Sequence, residues 1–358
     1  MIHKQTILFI GPNPNSLHNA IGGTVTFFKL LFSTSFCNQF NFIFVDTTKP
    51  NLASKYQRII SNFQEVLMMA YTMVFKRYDK VVLIQGGGLF FIRFLCLYFI
   101  NLIFKRKKII IAIRGHVEEA PLWHLKCFTF RKADLIWVQT RDASEWICNM
   151  FHVPMDKITV IPNGINFKDY PTHWPAPSQN NEIVFLFVGW LKKEKGVFEL
   201  LNAFDVIHQL YKNTRLVFLG RGAGELELKA KCEQLGLSKN VVFKGWVDQG
   251  KTHIIQGGHC VVLPTYREGF PNTILEGMAL GRPIISSTIG CIESILKPAG
   301  SLLATPRDVN SLVDCMKTII EDPGLIEDMG KFNFNYAREN FDIEHISRTI
   351  IEKISVMR

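Results

Sequence analysis

The residues best suited to chemistry lie in the second half of the chain. REGFPNTILE, residues 267–276, sets two carboxylates, Glu268 and Glu276, at an E-x7-E spacing. A short apolar run precedes it. Pro271 and Asn272 then signal a helix start, with Asn272 as the expected N-cap. Backbone N–H groups at that start, near Asn272 and Thr273, suit a phosphate. The carboxylates would repel phosphate and instead suit vicinal diols, one on a hexose and one on a ribose. By spacing alone, an acidic loop and a helix-capping Glu explain the same residues. The second motif, FVGWLKKEKGV at 187–197, ends an apolar run at Gly189 and then carries Lys192, Lys193 and Lys195. Lysines just beyond a strand end, facing a helix N-terminus, can clamp a diphosphate. Read alone, they are better taken as a solvated charge run.

Weaker signals share this setting. FLGRGAGELEL at 218–228 places Gly222 in a turn after an apolar run, with a helix expected near Glu225. VVFKGWVD at 241–248 ends another run in a turn, where Gly245 and Val247 offer backbone to a base. In the first half, Gly22 and Gly23 precede the first helix. Ile113-Arg114-Gly115-His116 ends a strand, which makes His116 a functional candidate. No C-x-x-C pair, His cluster with metal-ligand spacing or Asp-x-Asp pair occurs, so no metal or cofactor is expected.

These motifs need strand ends to hold them. Apolar runs stand at 6–10, 41–45, 80–84, 108–113, 134–138 and 158–161, and again at 183–188, 215–219, 241–243, 260–263, 283–286 and 301–303. Continuous Val/Ile/Leu/Phe runs bounded by turn residues indicate strands buried on both faces. Helices between them indicate parallel sheets. Two series predict an α/β chain of two Rossmann-like, doubly wound domains facing across a cleft, with ligands beyond the carboxyl ends of the strands. The expected domains are 1–170 and 171–340. Residues 168–181, KDYPTHWPAPSQNN, form the linker, and 341–358 form a final helix that packs back on the first domain.

In this order the motifs resemble the retaining GT-B glycosyltransferases of family four, also called glycosyl transferases group 1. The resemblance spans nearly the whole chain and includes ADLIWVQTRDASEWI (133–147) and ITVIPNGIN (158–166). It implies transfer of a hexose-type sugar, with retention and without a metal, from a nucleotide-sugar donor to a lipid-linked or saccharide acceptor in cell-surface polysaccharide or glycolipid assembly. The first domain would bind the acceptor and the second the donor. Lys195 would bind the diphosphate, Glu268 the transferred sugar and Glu276 the ribose. Gly22 and Gly23 match the family's glycine-rich loop, and His116 its histidine near the reacting sugar. Gly189, Gly222, Gly245, Val247, Gly269, Phe270, Asn272 and Thr273 complete the expected donor contacts. The family's Arg after the VG pair is replaced by Trp190, and Lys192 or Lys193 would have to compensate.

Composition sets the outer limits. At 358 residues, with 47% hydrophobic and 20% charged, the chain has material for two cores. Eight scattered cysteines read as small buried hydrophobes in a reducing compartment. The start lacks a secretory pattern, so a cytoplasmic place is expected, with a peripheral position on the inner face of the cell membrane as a variant. Residues 1–170 hold 20 Lys and Arg against 10 Asp and Glu, and the rest hold 21 of each. The whole +10 excess is therefore N-terminal and favours an anionic partner. No nucleic-acid recognition motif accompanies it. Residues 89–104, LFFIRFLCLYFINLIF, precede Lys105-Arg106-Lys107-Lys108. Sixteen residues with Arg93 inside fall short of the roughly 20 of a membrane span, so a core helix or a membrane-surface helix is expected. The competing functions are a nucleotide-sugar 2-epimerase of the same architecture and a non-catalytic nucleotide-binding or scaffold protein.

Overall fold

The structure is a computed structural model that describes residues 4–13, 23–47, 55–85, 90–105, 107–115, 123–176, 182–247 and 250–357. Two compact units result: Met1–Gly164 with Ile343–Arg358, and Ile165–Asp342. The first holds strands β1 (Thr6–Gly11), β2 (Asn41–Asp46), β3 (Lys80–Ile84), β4 (Lys108–Ala112), β5 (Leu135–Val138) and β6 (Ile158–Val160). They form one parallel sheet in the order β2-β1-β3-β4-β5-β6. The second holds β7 (Ile183–Val188), β8 (Thr214–Leu219), β9 (Val241–Gly245), β10 (Cys260–Leu263), β11 (Ile284–Ser287) and β12 (Ser301–Ala304). These are also parallel, in the order β12-β11-β10-β7-β8-β9. This is the GT-B fold.

The strands form where they do because both sheet faces are covered. Alternate residues of β1 go to opposite cores, Leu8 and Ile10 on one side and Ile7 and Phe9 on the other. Phe9 meets Phe28, Phe32 and Phe44 edge-on, with ring centroids 5.0, 5.3 and 5.6 Å away. Such pairs add about 0.5–1.5 kcal/mol each beyond area burial. The last helix, Ile343–Val356, sends Ile343, Ile346, Ile350 and Ile354 into the same core. Two buried polar ties fix it. Lys80 Nζ donates to the Ile354 carbonyl at 2.6 Å, and Thr34 Oγ1 donates to Ser347 Oγ at 2.8 Å. Burial lowers the Lys80 pKa, with Asp79 acting against that shift.

The expected linker is not free chain where it is described. Phe167–Asp169 form a 3-10 turn, Trp174 Nε1 donates to the Gly281 carbonyl at 3.3 Å, and the Arg282 guanidinium donates to the Pro175 carbonyl. Arg338 donates to the Pro171 carbonyl. Arg282 is fully buried, and burial draws its pKa down to about 10. Sequence showed the prolines here but not the two arginines that bind their carbonyls. None of the eight cysteines forms a disulfide. Cys232, Cys260 and Cys291 are buried, but Cys96 is exposed and the other four are half-buried, so burial is not general.

Candidate functional site

The strand order of the second sheet reverses at β7. β8 and β9 extend to one side of it, and β10, β11 and β12 to the other. Ligands in open α/β sheets bind at such a switch point, beyond the carboxyl ends. The chain after β7 makes a 3-10 turn, Lys193–Lys195, and enters the helix Val197–Leu210 through Gly196. Gly196 has φ +69°, and a Cβ there would lie 2.0 Å from the Pro264 carbonyl oxygen, so glycine is required. The Glu194 carbonyl accepts from Tyr266 N at 2.9 Å and from Thr265 Oγ1 at 3.2 Å. These ties draw the turn against the loop after β10. Lys195 Nζ there forms a hydrogen-bonded ion pair with Glu268, the side chains being only 19% and 12% exposed. The Cys291 thiol donates to the Glu268 carbonyl at 3.3 Å.

Glu276 sits in the helix Asn272–Ala279. Pro271, not Asn272, occupies the cap position. Its backbone is extended at φ −79°, ψ 102°, it makes no side-chain cap bond, and Asn272 is the first helical residue. The ring of Pro271 already fixes the φ that a cap needs, which displaces the expected Asn by one position. Thr273 Oγ1 donates to the Val188 carbonyl at 3.0 Å, pinning the helix start to the end of β7. Glu276 pairs with Lys251 at 2.6 Å, Lys251 being the first residue of the helix Lys251–Gln256 after β9. Burial, then the Glu276 and Asp169 carboxylates, pushes the Tyr170 phenol above its usual range.

The turns after β8 and β9 complete the edge. A Cβ on Gly222 would fall 2.2 Å from the Leu191 carbonyl oxygen, and one on Gly220 would fall 1.8 Å from that of Gly189. The loops after β7 and β8 thus pack backbone to backbone, as Leu191 N to Arg221 O and Gly224 N to Leu191 O, both 2.9 Å, also show. Gly245 has φ +68°. Trp190 is 44% exposed and lies 5.5 Å from Trp246, with the Lys192 ammonium 5.9 Å from the Trp190 ring. Lys192 also approaches Glu194 at 3.8 Å, and Lys193 is exposed.

Several expected residues take other places. Phe270 is 9% exposed and packs toward Phe341, so its side chain belongs to the core and only its backbone is offered. Val247 is half-buried against the same core. Gly22 and His116 lie outside the described residues. Gly23 opens the first helix and is exposed. Nearby, the buried Arg114 donates to the Ile161 carbonyl and to Asn163 Oδ1, each at 2.6 Å, and lies 3.4 Å from the Phe27 ring. Burial lowers its pKa to about 9. It ties the ends of β4 and β6 together, a structural role. Sequence reasoning missed Lys251, Tyr170 and the Trp190–Trp246 pair. Lys251 stands three residues past VVFKGWVD, and nothing in the sequence marks it as the partner of Glu276.

Residues 171–336 match the family described as glycosyl transferases group 1. An uncharacterised glycosyltransferase of Methanocaldococcus jannaschii is 31% identical over 212 residues, 56% of this chain and 54% of that protein. The chain therefore spans about half the length of that curated relative. The lipopolysaccharide 1,6-galactosyltransferase of Salmonella typhimurium is 30% identical over 234 residues, 60% of this chain and 63% of that one. The structure of sucrose-phosphate synthase from Thermosynechococcus elongatus superposes with a TM-score of 0.78 at 17% identity, covering 98% of each chain. Residues 171–336 thus carry the segment shared by the group 1 glycosyl transferases, in a chain with the GT-B fold.

Proposed function

We propose that the protein transfers a hexose-type sugar from a nucleoside-diphosphate sugar to a saccharide or lipid-linked acceptor, with retention and without a metal ion. The observation that carries this reading is the Lys195–Glu268 ion pair at the switch point of the second sheet, with Glu276 held apart by Lys251. The second unit would take the donor and the first the acceptor. The diphosphate would enter beside Lys195 and the backbone amides near Asn272 and Thr273. Lys195 then turns from Glu268 to phosphate, which frees Glu268 for the sugar hydroxyls. Glu276 takes the ribose. Gly189, Gly222 and Gly269 allow close backbone approach, and Gly245 and Val247 border the base, with Trp190 and Trp246 as a stacking surface. Gly22, Gly23 and His116 are assigned to the phosphates and the reacting sugar by resemblance. Departure of the nucleoside diphosphate builds negative charge, and one preorganised charge stabiliser contributes about 3–4 kcal/mol to that step. The Salmonella relative supports cell-surface polysaccharide or glycolipid assembly as the setting.

A thermal-shift screen of nucleoside diphosphates and their sugars identifies the donor, since a ligand of the native state raises its stability. That donor is then incubated with and without saccharide acceptors. Acceptor-dependent release of nucleoside diphosphate is expected. Epimerised donor in the absence of acceptor would transfer the assignment to an epimerase, and stabilisation by no nucleotide would contradict both.

A further inference from the structure

The helix Lys55–Phe75 has two apolar faces. Met69 and Met73 are buried against the first sheet. On the opposite side Ile60, Phe63, Leu67, Met68, Tyr71 and Phe75 are all exposed, Phe63 at 65% and Phe75 at 69%. At 100° per residue these six fall on one stripe, about 22 Å long at the helical rise. The neighbouring helix Phe90–Ile100 and its π-helical extension Asn101–Lys105 behave alike. Phe94, Leu97 and Asn101 point inward, while Phe99, Leu102, Ile103 and Phe104 are exposed, Ile103 at 71%. The two helices pack side by side. They lead into β3 and β4, whose Lys80–Lys108 register sets their carboxyl ends next to each other. Lys76, Arg77, Lys105 and Lys107 follow those ends, forming a basic rim beside the apolar stripe.

A water-facing helix side is ordinarily polar, and a contiguous apolar patch of this kind marks an interaction surface. We propose that this two-helix face is an interfacial docking surface for an anionic lipid bilayer, the apolar stripe entering the headgroup boundary and the basic rim meeting lipid phosphates. Three observations select this occupant. The basic excess of the chain lies entirely in residues 1–170. Aromatic and aliphatic residues flanked by Lys and Arg are the composition of helices that lie in the interface plane. Among the described residues no helix is long and apolar enough to cross a membrane, and the face is accordingly proposed to lie along the bilayer rather than through it. A second copy fits worse, because it would bring a second basic rim and no acidic surface to neutralise the first.

Co-sedimentation with phosphatidylcholine vesicles, pure or containing phosphatidylglycerol, tests the proposal. Wild type is compared with Phe63→Ser/Phe75→Ser/Ile103→Ser and with Lys76→Ser/Lys105→Ser/Lys107→Ser. All substituted positions are exposed or half-buried, and circular dichroism and nucleoside-diphosphate binding report that each variant is folded. The expected result is recruitment of wild type to the anionic vesicles only, weakened by salt. Each variant should lose about tenfold or more in partition coefficient. Absence of recruitment, equal recruitment to neutral vesicles, or unchanged recruitment of both variants would overturn the proposal. So would a wild-type dimer in light scattering that the apolar variant dissociates, which would give the face to a second copy. None of these outcomes touches donor binding, which is read in solution.

Discussion

At the scale of single residues, Lys195 carries the most chemistry in this account. It is mostly buried and ion-paired with Glu268, so its ammonium is already positioned when a phosphate arrives. Lys195→Ala is expected to lower kcat about 10²–10³-fold, as removal of one preorganised charge stabiliser does. Steady-state kinetics on the folded variant checks this, and near-normal turnover would remove Lys195 from the mechanism. Its place past the end of an apolar run was legible, but alone it read as a solvated charge run, and only the resemblance gave it a role. The carboxylates stood out by their E-x7-E spacing, which an acidic loop and a capping Glu explain equally well, and the resemblance supplied their separate roles. Their partners were not legible. Lys251 and Tyr170 come from segments far from Glu276 in sequence, and only the sheet order brings β9 and the start of the second unit to the same edge. Trp190 was visible as a departure from the family, but its pairing with Trp246 depends on two turns separated by β8.

At the scale of elements, the 3-10 turn Lys193–Lys195 and the helix behind it hold the site in register through Gly196. A methyl there would strike the Pro264 carbonyl and occupy a left-handed backbone. Gly196→Ala should therefore destabilise the protein by about 1–3 kcal/mol and reduce activity by more than the lost stability explains, because the turn moves away from Glu268. Thermal denaturation together with kinetics below the melting transition separates the two effects. A variant of wild-type stability and activity would show that the turn tolerates the shift. The strands were the most legible elements, since continuous apolar runs with no solvent-facing alternation fit only sheets covered on both faces. Their order in space was not, because periodicity carries no information about which runs become neighbours. Nor was the docking of residues 171–175 on the second unit, which depends on Arg282 and Arg338 finding main-chain carbonyls.

At the scale of the molecule, the basic half and the apolar stretch at 89–104 were visible in the sequence, while the exposed stripe of Lys55–Phe75 was not. Its apolar residues read as an ordinary core-facing pattern until the sheet shows which side Met69 and Met73 occupy. The proposed chemistry makes two demands on the whole enzyme. The first is that lysine and helix amides suffice for the diphosphate. Activity should then survive a chelator, and loss of turnover in EDTA with recovery on adding Mg²⁺ or Mn²⁺ would refute metal independence. The second is that Glu268 and Glu276 divide the donor between them, and this is the central claim. Isothermal titration of wild type, Glu268→Ala and Glu276→Ala with uridine, guanosine, adenosine and cytidine diphosphates tests it most directly. One-to-one binding of at least one nucleotide by wild type is expected, with near-wild-type affinity in Glu268→Ala. Glu276→Ala should weaken binding roughly tenfold or more, the worth of a charge-assisted hydrogen bond to the ribose. Binding of no nucleotide, or equal losses in the two variants, would contradict it.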